Sequence, residues 1–150
     1  MQDNIYLEKQ STDAKLIYTA GFLWNNINDK IDKTLKPYNL NSAKFNILMI
    51  IKHVGKDEGV QQNFISDKLL VTPSNITKML DKLEAEELIT RNDKKNDRRV
   101  KIIKITQKGI ELLDKVWNEY KQTISNLSPK ISEKDKESLL AALIKWQDNI

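Results

Sequence analysis

The spacing of apolar residues in the first third of the chain predicts a long amphipathic helix from about Thr12 to Lys36. These residues recur at intervals of three and four, and Pro37 ends the pattern. At 1.5 Å per residue the helix would be roughly 37 Å long, about the diameter of a compact globule of this size, so we expect it to project beyond its own core. The apolar positions are Leu16, Ile17, Ala20, Leu23, Trp24, Ile27, Ile31 and Leu35.

The middle of the chain contains the spacing of a helix-turn-helix. Asn41 is a suitable N-cap for a helix from Ser42 to about Val54, and Gly55 and Gly59 then bracket a turn. Two short helices follow, about Gln61 to Leu70 and Pro73 to Glu86, joined by only two residues. Thr72 as the N-cap of the second short helix, with proline at its first position, is a strong start signal.

The second short helix is predicted to have one buried and one exposed face. At 100° per residue its apolar side chains fall on one arc, while the opposite arc carries polar and charged side chains that are free to contact a partner. The apolar arc holds Ile76, Met79, Leu80 and Leu83, and the polar arc holds Ser74, Asn75, Thr77, Lys78, Asp81 and Lys82.

After Leu88 the pattern changes to the two-residue period of strands. Ile89 to Asn92, a polar tip and Arg99 to Ile105 predict a β-hairpin. The adjacent pair Ile102 and Ile103 breaks the alternation, so we expect a bulge there or a side chain that covers the adjoining helix. The fold class predicted from these elements is mainly α with a small β-hairpin wing, a winged helix-turn-helix with further helices at both ends.

Two more helices are predicted in the last third of the chain. Thr106 caps the first, whose apolar residues repeat at 3, 4, 3, 4, 3, a heptad pattern typical of packing against another helix. Pro129 ends it, and Ser132 with Asp135 resembles a capping box before the last helix. The long first helix and this heptad pattern both indicate a partner helix. An alternative is that the terminal helices pair within one chain.

Composition narrows the possible functions. The 150 residues suit one domain, the absence of cysteine excludes disulfides and thiol chemistry, and a single histidine makes a transition-metal site improbable. We find no apolar run that could span a membrane and no signal peptide, so we expect a cytoplasmic protein. Nucleophile–base sets, phosphate loops and metal-ligand spacings are not evident, so we expect neither an enzyme nor a cofactor.

The net charge of +4 is concentrated in one place. The window from Ile89 to Lys104 contains only two acidic residues, Asp93 and Asp97, and therefore carries more positive charge than the whole chain. Without further context, a run of charged residues usually forms a solvent-exposed surface that binds no partner. The basic residues of this window are Arg91, Lys94, Lys95, Arg98, Arg99, Lys101 and Lys104.

These motifs, in this order, resemble the MarR family of bacterial transcriptional regulators. The resemblance covers the chain from about residue 12 to the end and is weakest in the two terminal helices. The matching residues are Leu83-Glu84, Leu88-Ile89 with Arg91, Asp97-Arg98-Arg99, and Ile105-Thr106-Gln107-Lys108-Gly109 for the family's Leu-Thr-x-x-Gly.

The resemblance implies a homodimer that places two winged domains on a pseudo-palindromic operator in double-stranded DNA. Residues 12–36 and 107–150 would form the helical dimerisation region of each subunit, and residues 42–105 the winged helix-turn-helix. Our predicted dimer contacts are Leu16, Leu23, Ile110, Leu113, Trp117, Tyr120, Ile124, Leu143 and Trp146. Dimers of this kind read half-sites about one helical turn apart, on the order of 34 Å.

The resemblance also assigns a role to each DNA-binding element. The helix from Pro73 would enter the major groove by its N-terminal end, with Ser74, Asn75, Thr77, Lys78 and Lys82 as contacts. The wing contacts would be Arg91, Lys94, Lys95, Asp97, Arg98 and Arg99. Among these Arg99 maps to the arginine that enters the minor groove, and Asp97 would hold an arginine in place. Arg91 could instead be structural and tie the two strands together.

A small aromatic or phenolic effector that weakens DNA binding is a further implication of the resemblance. Its pocket could be lined by Tyr18, Phe22, Trp24, Tyr38 and His53, although aromatic residues at helical spacing are more often core, and we expect His53 to be partly buried. The predicted function is thus a transcriptional regulator, a repressor of neighbouring genes released by an effector. The alternative is a helical dimeric interaction module without DNA binding.

Two positions depart from the family pattern. Leu70 and Glu87 stand where the family commonly has glycine, in the helix-turn-helix turn and before the first wing strand. If either residue keeps a left-handed backbone, its side chain costs about 1 kcal/mol. Phe64, where relatives often carry a polar residue, is predicted to be exposed or to pack under the wing.

Overall fold

The computed structural model describes residues 9–69, 73–94 and 97–149, and the side chains of all of these except residues 73 and 97–99. Leu70, Val71, Thr72 and Lys95 lie outside the described residues. The elements are α1 (Thr12–Leu35), α2 (Ser42–Ile50), β1 (Val60–Gln61), α3 (Gln62–Leu69), α4 (Pro73–Ala85), β2 (Ile89–Lys94), β3 (Asp97–Ile105), α5 (Gln107–Leu127) and α6 (Glu133–Gln147).

Helix starts follow the predicted caps. Asn41, Thr106 and Ser132 each accept a hydrogen bond from the backbone N–H three residues later, as an N-cap should. A 3-10 turn from Lys36 to Tyr38 follows α1, and α2 continues into a π turn, Ile51–Gly55. His53 is exposed on this π turn, so the expectation that it is partly buried is wrong.

Strand β3 lies at the centre of a three-stranded antiparallel sheet of order β1-β3-β2. The hairpin is confirmed, and its strands are longer than predicted. Of the two alternatives for Ile102 and Ile103, the bulge is wrong, because Val60 pairs with Ile103 and Gln61 with Ile102 in a regular ladder. The irregularity falls near the tip, between Asp93 and Lys94. Ile103 is fully buried and Ile102 is half-buried, as expected for consecutive residues that point to opposite faces of the sheet.

One hydrophobic core joins the helix-turn-helix, the sheet and the first half of α5. Leu113 and Val116 of α5 belong to it. The prediction that Leu113 contacts a partner is therefore wrong: the side chain is 2% exposed and packs inside its own subunit. Tyr120, also a predicted dimer contact, is half-buried, with its ring centre 4.5 Å from that of Phe45.

The two ends of the chain carry apolar side chains that this core does not cover. Trp24 on α1 is 63% exposed and Leu140 on α6 is 58% exposed. Within the described residues, no helix combines the length and the apolar character needed to cross a membrane. Exposed apolar residues in these regions are Leu16, Ile17, Tyr18, Phe22, Leu23, Trp24, Trp117, Ile124, Leu139, Leu140, Leu143, Ile144 and Trp146.

Glu87 is held in the left-handed region, with φ of 59°. The N–H of Leu88 donates to the carbonyl of Leu83 at 2.9 Å, and the N–H of Glu87 donates to that of Glu84 at 2.8 Å. This pair of bonds is a Schellman motif that ends α4, and glycine is the usual residue at the left-handed position. Glu87 therefore occupies, in a left-handed conformation, the position that the resembled family commonly gives to glycine.

Replacing Glu87 with glycine should raise the free energy of unfolding by about 1 kcal/mol, because glycine adopts this conformation without a Cβ clash. Chemical denaturation at matched protein concentration measures the change. Glu87→Ala is the control, since it removes the exposed Lys108–Glu87 ion pair but keeps the Cβ. Equal stability of the two variants would contradict the conformational explanation.

Candidate nucleic-acid interface

Helix α4 presents a polar face to the surface because its apolar face packs against the core. Ile76, Leu80 and Leu83 are 0% exposed. Ser74, Asn75, Lys78, Asp81 and Lys82 are exposed on the opposite side, as the periodicity predicted. Short side chains at the N-terminal end of this face leave the backbone there accessible to a phosphate or a base edge.

Thr77 lies at the border of this face and is tied to the first helix of the helix-turn-helix. Its Oγ1 accepts a hydrogen bond from Nε2 of Gln62, at 2.9 Å. Gln62 is the first residue of α3 and was not singled out from the sequence. A contact between residues 15 apart in two elements gives no local sequence signal.

Arg91 points away from the hairpin tip and binds helix α4. Its Nε donates to Glu84 Oε2 at 2.7 Å, and its Nη1 lies 2.7 Å from Asp81 Oδ1. The backbone N–H of Arg91 also donates to Glu84. The hydrogen bond to Glu84, followed by that to Asp81, raises the pKa of Arg91 against the opposing effect of burial.

The side chain of Arg91 therefore ties the first wing strand to α4 rather than to the other strand, which corrects the strand-to-strand role. Its guanidinium also balances Asp81, the acidic side chain on the exposed face of α4. Asp81 and Glu84 are thus partners of Arg91 within the subunit, and its predicted wing contact with DNA stays a prediction.

The hairpin tip keeps part of the basic tract exposed. Lys94 is exposed at the end of β2. Asp93 forms a cross-strand ion pair with Lys101. Lys104 donates to the carbonyl of Asp57 at 2.6 Å. The backbone of residues 97–99 opens β3, and the roles of the Asp97, Arg98 and Arg99 side chains stay predictions.

Glu86, at the C-terminal end of α4, is held by contacts with Lys44 and Asn39. Glu86 accepts from Lys44 Nζ at 2.6 Å and from Asn39 Nδ2 at 3.1 Å, and Lys44 also donates to the carbonyl of Asn39. Asn39 lies in the turn after α1, so this cluster connects the end of the long helix to the end of α4. Sequence reasoning missed it, because the three residues lie in separate elements.

The predicted effector residues are not gathered into one pocket of the single subunit. Tyr18, Phe22 and Trp24 are exposed on the N-terminal half of α1. Tyr38 follows the end of α1 at Leu35, which lies roughly 25 Å along the helix axis from Tyr18. Its hydroxyl donates to Glu119 Oε1 at 2.6 Å, which raises the pKa of Tyr38.

Comparison with known proteins identifies the family of this fold. The MarR family model matches residues 40–101, the helix-turn-helix and most of the hairpin. The HTH-type transcriptional regulator MhqR of Bacillus subtilis is 35% identical over 82% of this chain and 83% of its own length. The chain belongs to the MarR family.

Two further relatives agree with this assignment. The HTH-type regulator PecS of Dickeya dadantii is 28% identical over 78% of this chain and 70% of its own length. The crystal structure of an S. aureus MepR–DNA complex superposes with a TM-score of 0.75 at 25% identity and covers 94% of this chain and 100% of that one. As a MarR-family chain, the protein has the winged helix-turn-helix that its sequence pattern predicted.

Replacing Arg91 with alanine should loosen the hairpin from α4. Hydrogen exchange of the β2 amides should accelerate, while the amides in the buried part of α2 keep their rates. Lys101→Ala is the matched control, because it removes only the exposed cross-strand pair with Asp93, worth a few tenths of a kcal/mol to about 1 kcal/mol. If both variants change β2 exchange equally, the link from Arg91 to α4 does not hold the wing.

Proposed function

We propose that this MarR-family protein is a sequence-specific regulator of transcription that binds double-stranded DNA as a homodimer. Helix α4 enters the major groove by its N-terminal end, and the β2–β3 hairpin follows the backbone into the neighbouring minor groove. The observation that carries the proposal is the exposed polar face of α4, fixed beside a basic hairpin by Arg91.

The contacts proposed for α4 follow from its exposed side chains. Asn75 can pair with both edge atoms of an adenine, Lys78 can reach a guanine or a phosphate, and Ser74 suits a phosphate oxygen. Lys82, one turn beyond Lys78, adds positive charge along the same face. In the hairpin, Arg99 is proposed to enter the minor groove. Asp97 is proposed to pair with an arginine and hold its guanidinium in place. The proposed phosphate contacts are Lys94, Lys95 and Arg98.

A second copy of the chain is the partner proposed for the uncovered helices. The apolar side chains of α1 and α6 are about half exposed, more than a lone soluble domain normally leaves in contiguous helix faces. A second subunit that buries them also brings two copies of α4 onto one face. The retained dimer contacts are Leu16, Leu23, Ile110, Trp117, Tyr120, Ile124, Leu143 and Trp146.

Regulation is proposed to be repression of neighbouring genes that a small aromatic or phenolic effector relieves. Because Tyr18, Phe22 and Trp24 lie far along α1 from Tyr38, a pocket that uses both groups has to form between subunits. Binding there would change the spacing of the two α4 helices, and with it the affinity for DNA.

Arg99→Ala is expected to lower affinity for a selected duplex on the order of 1–3 kcal/mol and to remove a preference for A·T pairs beside each half-site. Arg98→Ala should lower the affinity by a similar factor for every DNA sequence, as loss of a phosphate contact does. It should also reduce the slope of the logarithm of the binding constant against the logarithm of the salt concentration by about 1. Fluorescence anisotropy across a salt series measures both. If the affinity of the wild-type protein for duplex DNA did not change with salt concentration, the alternative of a helical interaction module without DNA binding would be favoured.

Leu143→Lys is expected to convert the dimer to a monomer, because it places a charge in the apolar face of α6. Ala141→Lys is the control, since two residues along a helix put the same charge on the opposite side. Sedimentation velocity gives the mass of each variant. A dimeric Leu143→Lys protein would exclude this face from the interface.

A further inference from the structure

We infer that Thr77 reads a thymine through its γ-methyl group and that Gln62 is the positioning residue that turns this methyl toward the DNA. The inference rests on the proposed function, since it requires α4 in the major groove. It assigns a task to two side chains whose contact links the two helices of the helix-turn-helix.

The hydroxyl of Thr77 is hydrogen-bonded to Gln62 of α3. Gln62 Nε2 lies 2.9 Å from Thr77 Oγ1, in a partly buried contact. A carboxamide can donate or accept at this distance, so either orientation of the Gln62 amide occupies the hydroxyl. Besides Oγ1, the side chain of Thr77 has one other heavy atom on Cβ, its methyl group. With Oγ1 bonded to α3, the inference places this methyl group toward the groove.

Gln62 is well placed to hold this orientation. It begins α3 directly after Gln61, whose backbone pairs with Ile102 of the central strand. The amide therefore comes from a residue whose neighbour is fixed in the sheet rather than from a loop. A side chain anchored in this way limits the rotamers of Thr77 without contacting DNA itself.

The position of Thr77 on α4 fits a base contact. It lies one turn after Ser74 and one turn before Asp81, on the same side of the helix, and it is half-buried while both neighbours are exposed. A short side chain at such a position touches a base edge only where the helix approaches closely. Thymine is the base that presents a methyl group in the major groove, and threonine methyl is a suitable apolar partner for it.

The test uses thymine replaced by deoxyuridine, which pairs identically but lacks the methyl group. Duplexes are first selected from a randomised pool by the wild-type protein, and each thymine of the selected half-site is then replaced singly. For wild type, one replacement should weaken binding about fourfold, the value expected for one buried methyl group. Thr77→Ser should bind both duplexes equally, and Thr77→Val should keep the fourfold difference.

Gln62→Ala tests the positioning role. The substitution removes the donor to Thr77 Oγ1, so the difference between thymine and deoxyuridine should shrink although the methyl group is present. Thermal unfolding of each variant verifies that it is folded, and the ratio of the two affinities is unaffected by any uniform loss of binding.

The inference is overturned if no thymine of the half-site shows the difference, if Thr77→Ser retains it, or if Thr77→Val abolishes it. An undiminished difference in Gln62→Ala would remove Gln62 from the positioning role. Failure to select any duplex would instead contradict the proposed function, so the two failures are distinguishable.

Discussion

The burial of one face of α4 is the constraint on which the rest of the structure depends. Ile76, Leu80 and Leu83 are completely enclosed, so the helix cannot rotate about its axis without exposing large apolar side chains. Polar contacts then hold the helix from outside the core: Arg91 binds its exposed side, and Lys44 binds Glu86 at its end. The direction of the polar face is thus set by packing, and the hairpin is held in a fixed relation to it.

The strain at Glu87 has the same origin. The chain has to reverse after α4 so that Leu88 and Ile89 enter the core, and the Schellman bonds make that reversal at a left-handed residue. Because the residues on both sides of the turn are buried in the core, the turn is kept although glutamate stands in place of glycine.

The terminal helices, in contrast, are only partly held by the core of one subunit. The core of one subunit fixes only the end of α1 and the first half of α5, and the apolar faces beyond them are left for another surface.

Sequence reasoning succeeded where the signal is local. Asn41, Thr106 and Ser132 cap helices in the structure because an N-cap depends on residues three positions apart, and the faces of α4 follow from periodicity alone. Sequence reasoning failed where the contacting residue lies far away along the chain. Strand β1 has two residues and exists only by pairing with β3, and the ligands of Arg91 lie on another element. The heptad of α5 could not distinguish a partner in the same chain from one in another, so Leu113 was misassigned.

Two copies of α4, each fixed to its hairpin, are proposed to contact DNA together. Hydroxyl-radical footprinting of the wild-type protein on a selected duplex tests it most directly. We expect two protected segments related by a two-fold axis, centred about 10 base pairs or a multiple of that apart, with minor-groove protection flanking each. A single protected segment, or uniform protection without the helical repeat, would contradict it.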